Sequence, residues 1–274
     1  MMRFNTFVQA AALTTIMMTA QAAPAQAKAA KAKAPSAATA AKSKAVAPRD
    51  ISGVWELYPD PFAGDENTFR ELPVPGDGPT LREPYATQWK ALRDKRDAAL
   101  KAGTPLVDPS TQCMPEGMPM IMGAIFPIEI LQTPGRVTVL AEFLTQTRRI
   151  YLNRAQPKLD DITPSFYGMT TGRWEGNTLV LTTRGVKEDV RFFEIPHSAD
   201  MTITERIRRT GPELMEDQIT IEDPKMLLKP YRFTYGYKRN PQYEIMEYFC
   251  EREDPLLKVK PDGTVEMKTS DEIK

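Results

Sequence analysis

The chain has 274 residues, 41% of them hydrophobic, and its 36 basic residues balance 36 acidic ones. Seven of the basic residues precede Asp50, where there is no acid, so the rest of the chain carries 29 basic against 36 acidic side chains, a net of −7. That acidic balance argues against a nucleic-acid partner, which requires a basic face. One histidine and two cysteines cannot supply the ordinary zinc or blue-copper ligand sets, so no metal and no cofactor is expected.

The N-terminus reads as an export signal. Arg3 gives a positive start, Phe7 to Ala20 form a short apolar run, and Ala20-Gln21-Ala22 and Ala25-Gln26-Ala27 offer small-x-small cleavage sites. The run is shorter than the ~20 residues that span a bilayer, and no later run is apolar enough, so no membrane span is predicted. Residues 28–49 are Ala, Lys, Pro and Ser with only basic charge, the composition of a disordered linker. The expected organisation is a signal peptide over 1–27, this linker over 28–49, one β-rich domain over 50–253 and a C-terminal tail over 254–274. The mature protein is expected to be periplasmic or secreted.

Ile51 to Leu57 opens the domain as a short strand, and an irregular proline-rich stretch follows through Pro79. Pro84 to Ala102 is the one good helix: Pro84 suits its first turn, Tyr85, Trp89 and Leu92 form an apolar stripe, and Gly103 with Pro105 ends it. From Ile125 onward the pattern is β. Strands are predicted over 127–132, 137–144, 148–152, 172–174, 178–184, 190–194, 201–209, 214–221, 232–238 and 243–251. Turn signals such as Pro134-Gly135, Gly176-Asn177, Gly211-Pro212 and Asn240-Pro241 separate them. Short strands in regular succession predict an all-β fold with one helix near the start of the domain. The expected topology is an antiparallel meander closing as a lipocalin-like β-barrel, with a sandwich as the alternative. Gly53-Val54-Trp55 also matches the Gly-x-Trp of lipocalin-like barrels, although Gly172-Arg173-Trp174 repeats it.

Cys113 and Cys250 form a lone pair in an exported chain, which is most simply a disulfide. Two buried thiols or a nucleophile are the alternatives. A bridge closing so long a loop stabilises by about 4–5 kcal/mol in the chain-entropy model, and it would tie the region before the sheet to the last strand.

Several ordered blocks resemble a family of uncharacterised exported bacterial proteins. They are Gln112-Cys113-Met114-Pro115, Gly117-Met118-Pro119, Glu129 to Gly135 leading to Glu142, and Gly172-Arg173-Trp174-Glu175-Gly176-Asn177-Thr178-Leu179-Val180. Thr204-Glu205-Arg206, Ile221 to Pro224, Lys229-Pro230 and Glu247-Tyr248-Phe249-Cys250 complete the set. The likeness covers roughly residues 50–253 and implies export and fold rather than an activity. The chain departs from the family pattern at Asn153-Arg154-Ala155, at Met169-Thr170 and at Glu251-Arg252, so any site chemistry carried there is altered.

Glu142, Glu175 and Glu205 sit in otherwise apolar or aromatic strands. Alternation places Glu205 on the face of Met201, Ile203 and Ile207, where a carboxyl becomes either an acid-base group or half of an internal salt bridge with Arg148, Arg173 or Arg232. His197 is the other candidate general base, oriented by Glu194 or Glu205; the plainer reading is an imidazole bonded to backbone. Met114, Met118, Met120 and Met122 are soft enough to hold copper(I) but fit better as the filler or wall of an apolar pocket. Tyr231, Phe233, Tyr235 and Tyr237 share one strand face, as a core stripe or as an aromatic wall for a flat ligand. Trp174 and Glu175 must point to opposite sides of their strand, so only one faces the interior. No phosphate loop, nucleophile elbow or dinucleotide fingerprint is present.

Together these residues predict an exported barrel that binds a small hydrophobic or aromatic molecule, lined by Tyr235, Tyr237, Glu142, Trp174 and Met120. A cofactor-independent isomerase, lyase or hydrolase using Glu205 or His197 is the second reading. An envelope structural or interaction module docking through residues 59–79 is the third.

Overall fold

A computed structural model describes residues 49–60, 74–123, 125–190, 192–250 and 257–268, all within one compact unit, Ala45–Lys274. The predicted signal peptide, nearly all of the linker and most of the proposed docking loop lie outside the described residues. Nine strands form the main sheet: β1 Gly53–Leu57, β2 Ile128–Thr133, β3 Arg136–Ala141, β4 Gln146–Leu152, β5 Met169–Glu175, β6 Thr178–Arg184, β7 Thr202–Arg209, β8 Leu214–Glu222 and β9 Tyr231–Arg239. Each pairs with the next, and β1 pairs with both β2 and β9, which closes the barrel and rules out the sandwich.

The meander is not wholly antiparallel. β4 and β5 run parallel, with Ile150 opposite Thr170. The chain between them, residues 153–168, crosses back to the end of the barrel where β4 began before β5 starts. A crossover of a dozen or more residues is what a parallel pair requires, and that gap is the signal that a strand-by-strand hairpin reading overlooks. The β5–β6 hairpin is as predicted: Glu175 pairs with Thr178 around Gly176-Asn177, and only Gly176 takes a positive φ, 58°. Gly172 faces the interior with no room for a methyl group, since a Cβ would lie 2.4 Å from Leu181 Cδ2. Trp174 packs against the core, whereas Glu175 stands outside and bridges Arg173 and Arg206.

Strict alternation fills the barrel. Ile203, Glu205 and Ile207 of β7 and Met215, Asp217, Ile219 and Ile221 of β8 are buried, while their neighbours face out. Each fully buried aliphatic side chain contributes roughly 1.5–3 kcal/mol. The lower end, at the start of β1, is stoppered by Trp55, whose indole N–H donates to Ile51 O (2.9 Å) under the Arg209 guanidinium. The upper end, where β2, β4 and β9 begin, is covered by residues 113–123, which include a 3-10 turn at Met120–Gly123, and by residues 185–190 and 192–200.

The helix, α1, spans Tyr85–Lys101 and ends on Gly103 with φ 72°. Its inner stripe differs from the expectation. Tyr85 and Trp89 face inward, but Leu92 is exposed and Arg96 is buried instead, paired with Glu194 at 2.6 Å. Trp89 Nε1 donates to Phe193 O at 2.9 Å. This anchoring corrects the strand expected over 190–194: its described residues form a turn in which Phe193 and Glu194 both take positive φ (51° and 55°), incompatible with a ladder.

Residues 243–250 are also irregular rather than a strand. Cys113 and Cys250 are bridged, with Cα atoms 5.8 Å apart, so the disulfide ties two irregular segments and not the last strand. Within the expected tail, β10 Leu257–Val259 and β11 Val265–Met267 form a hairpin that hydrogen-bonds to Pro105 and Val107. Among the described residues no helix is long and apolar enough to cross a membrane.

Candidate functional site

At the centre of the barrel Arg148 of β4 meets Glu205 of β7. The guanidinium grips the carboxylate bidentately, Nη1 to Oε1 at 2.8 Å and Nη2 to Oε2, and neither side chain has any exposed surface. Arg148 Nη2 also donates to Thr183 Oγ1 at 3.2 Å, and the Thr170 and Thr183 hydroxyls are 2.8 Å apart. Of the three arginines predicted as partners for Glu205, Arg148 is the one that reaches it. A buried pair of this kind recovers its desolvation cost only through such geometry.

Asp217 of β8 completes the group. It is wholly buried, and burial first, then the charge of Glu205, holds its carboxyl well above the ordinary carboxylate range. Neither of its carboxyl oxygens has a hydrogen-bond partner among the described residues, so burial rather than a bonded neighbour sets its state. Directly opposite Asp217 on β9 is Tyr235. Burial raises the Tyr235 and Tyr237 phenols far above their usual range, so both are neutral donors.

Those phenols meet the 113–123 segment. Met118, Ile121 and Met122 have no exposed surface and belong to the same core as the inward-facing strand residues. Tyr237 Oη donates to Met122 O at 2.6 Å. Gly123 lies flat on Tyr235, where an added Cβ would sit 2.4 Å from the hydroxyl. The Tyr235 hydroxyl is buried without a hydrogen-bond partner. Gly117 threads past the wall at φ 69°, with a Cβ position only 2.4 Å from Phe166 O, so only glycine fits. Gln146 fixes the entry of the segment: its Oε1 accepts from Glu116 N (3.1 Å), Gly117 N (3.4 Å) and Tyr167 Oη (3.2 Å). Beside it, burial and then the Asp108 charge push the Glu116 carboxyl up to about 8, and burial pushes Tyr167 up to about 12.

The interior is thus filled, which corrects the expectation of an open lined cavity. Trp55, Arg148, Glu205 and Asp217 touch no space that admits a water molecule. Tyr235, Tyr237, Glu205, Trp174 and Met120 do come together in or against the core. Glu142 does not: it lies outside the barrel wall, accepting from Tyr243 Oη (2.8 Å) and Met246 N (3.1 Å), and so fastens the segment that leads to Cys250. His197 is buried at the upper end with Nε2 2.9 Å from Val190 O. Neither predicted carboxylate orients it, since Glu194 is held by Arg96 and Glu205 by Arg148. The ring borders a cavity of about 10 Å³ with Phe192, Asp223 and Tyr231, room for one water at most.

Sequence reasoning missed Asp217, Glu116 and Gln146. Asp217 carried a readable signal, the same alternation that singled out Glu205, between Met215 and Ile219. Glu116 and Gln146 carried none, because their burial depends on where an irregular segment crosses the barrel end.

Fold and site together define a lipocalin-like closed β-barrel with an ionic centre and a plugged upper end. No family model matches the chain, and no curated protein matches it.

Proposed function

We propose that the protein is an exported binder of a small hydrophobic or aromatic molecule, taken up inside the barrel. The carrying observation is that the nine-stranded wall leaves its upper interior to be filled by a peptide outside the sheet, Met118 to Met122, whose last residues open a short 3-10 turn at Met120–Gly123, rather than by wall side chains alone. Barrels of about this strand number enclose either a side-chain core or one small ligand, and replacing this segment by a ligand breaks no strand ladder of the wall. The methionines are flexible apolar fillers of the sort that stand in for a ligand. Export, and membership of the exported bacterial family that the sequence blocks resemble, belong to the same proposal; the Cys113–Cys250 bridge supports it by requiring an oxidising compartment.

Native mass spectrometry of the exported protein, followed by equilibrium dialysis against apolar aromatic compounds, tests this reading. A stoichiometric co-purifying molecule or saturable uptake is expected. No bound molecule and no saturable uptake by any compound would end it.

One observation favours a second reading, a cofactor-independent isomerase, lyase or hydrolase: Asp217 is wholly buried with both carboxyl oxygens unpartnered, and that burial holds its carboxyl above the ordinary range, as in acid-base sites. Glu205→Gln separates the two. Retained ligand affinity with lost turnover identifies catalysis, and a parent protein that turns over none of its ligands excludes it.

A further inference from the structure

The contact between Tyr237 and the plug also specifies the chemistry of the ligand. The inner phenol already binds a carbonyl oxygen, that of Met122, at 2.6 Å, and the carbonyl is flanked by the fully buried apolar bodies of Met118, Ile121 and Met122. A second donor, the Tyr235 hydroxyl, lies beside it against Gly123, buried and unpartnered. Among the described residues, the one cation beside the phenols, the Arg148 guanidinium, is consumed bidentately by Glu205; their other titratable neighbours are Asp217, Glu205, Glu116 and Tyr231. A carboxylate ligand would find no free cation there to offset the burial of its charge, whereas a neutral oxygen acceptor would find two donors already desolvated.

We infer that the barrel selects neutral apolar molecules bearing a carbonyl oxygen (a ketone, ester or amide), which displaces the Met122 carbonyl and is held by the hydroxyls of Tyr237 and Tyr235. This rests on the binder reading above and names the ligand class of that site. The plug is then a resident surrogate, presenting to Tyr237 the same functional group as the molecule that replaces it. The expected preference is modest in size, because a neutral hydrogen bond contributes about as much as a five- to tenfold change in affinity.

Three probes with one ring system isolate the functional group: methyl naphthyl ketone, ethylnaphthalene and naphthoate, measured by equilibrium dialysis against the full chain at neutral pH. The ketone is expected to bind about five- to tenfold tighter than ethylnaphthalene, with naphthoate the weakest. In Tyr237→Phe the ketone-to-ethyl ratio should fall toward one, and Tyr235→Phe should lower it in part. Equal binding of all three, or tighter binding of naphthoate, overturns the carbonyl assignment while leaving a binder. Absence of saturable binding by every probe defeats the binder reading and this inference with it. A ratio that survives in Tyr237→Phe also overturns the assignment. Should that variant fail to fold, the three-probe comparison on the parent chain decides alone.

Discussion

Arg148 and Glu205 show why residue identity matters most where water is absent. Both are sealed, and the Glu205 carboxylate is held by both terminal nitrogens of the Arg148 guanidinium. Removing one partner strands the remaining charge, so Glu205→Leu should cost about 3–5 kcal/mol in urea unfolding, whereas Arg148→Met combined with Glu205→Leu should recover most of that loss. A single variant losing less than about 1 kcal/mol would show that the pair is not dry. Glu116 gives a pH signature of known sign. Its folded value of about 8 lies above its ordinary 4.5, so the folded state binds the extra proton. That contribution is fully present below about 4.5 and disappears as pH rises toward 8. The groups facing it, Asp108 and Tyr167, both act in the same direction or are themselves raised. Glu116→Gln should therefore gain stability relative to the parent as pH rises from about 5 to about 8; thermal melts at the two pH values that show no such gain would contradict the assignment.

Among the elements, the 113–123 segment contributes as much to the interior as a strand does, without pairing like one. Its path depends on Gly117, which combines φ 69° with a Cβ position 2.4 Å from a backbone oxygen. Gly117→Ala should cost roughly 2 kcal/mol or more, the sum of left-handed strain and a clash that backbone cannot relieve, as read from denaturant midpoints; a neutral result would mean that the segment moves aside freely. The Gly172-to-Thr183 hairpin behaves oppositely. Its motif residues are explained by local structure: Gly172 for close packing, Trp174 for the core, Arg173 and Glu175 for an outer ion-pair ladder, Gly176 for the turn. Alternation made that element legible in sequence. The described residues of 190–194 and 243–250 are also rich in aromatic and aliphatic types, yet one stretch is held by α1 and the other by Glu142 and the disulfide, so tertiary contacts override their β propensity.

For the molecule as a whole, stability should be uneven around the barrel. β7 and β8 pair over eight residues and β8 and β9 over another eight, whereas β1 closes the ring through three pairs on each side. Amide hydrogen exchange should accordingly protect β7, β8 and β9 most and β1 least among the barrel strands; equal protection of β1 would show that closure is as strong as the long hairpins. The sequence by itself determined what period-two alternation and turn residues can encode: most of the strands, the inward side of Glu205, the tyrosine face and the hairpin at Gly176-Asn177. These are local properties, fixed by neighbours one or two positions away. The tertiary structure alone decided the parallel β4–β5 pair, the closure of β1 on β9, the choice of Arg148 as partner and the use of a methionine-bearing segment as the upper plug. Each of those joins residues far apart in the chain, and which distant surfaces meet is set by the packing of the whole barrel rather than by any local pattern.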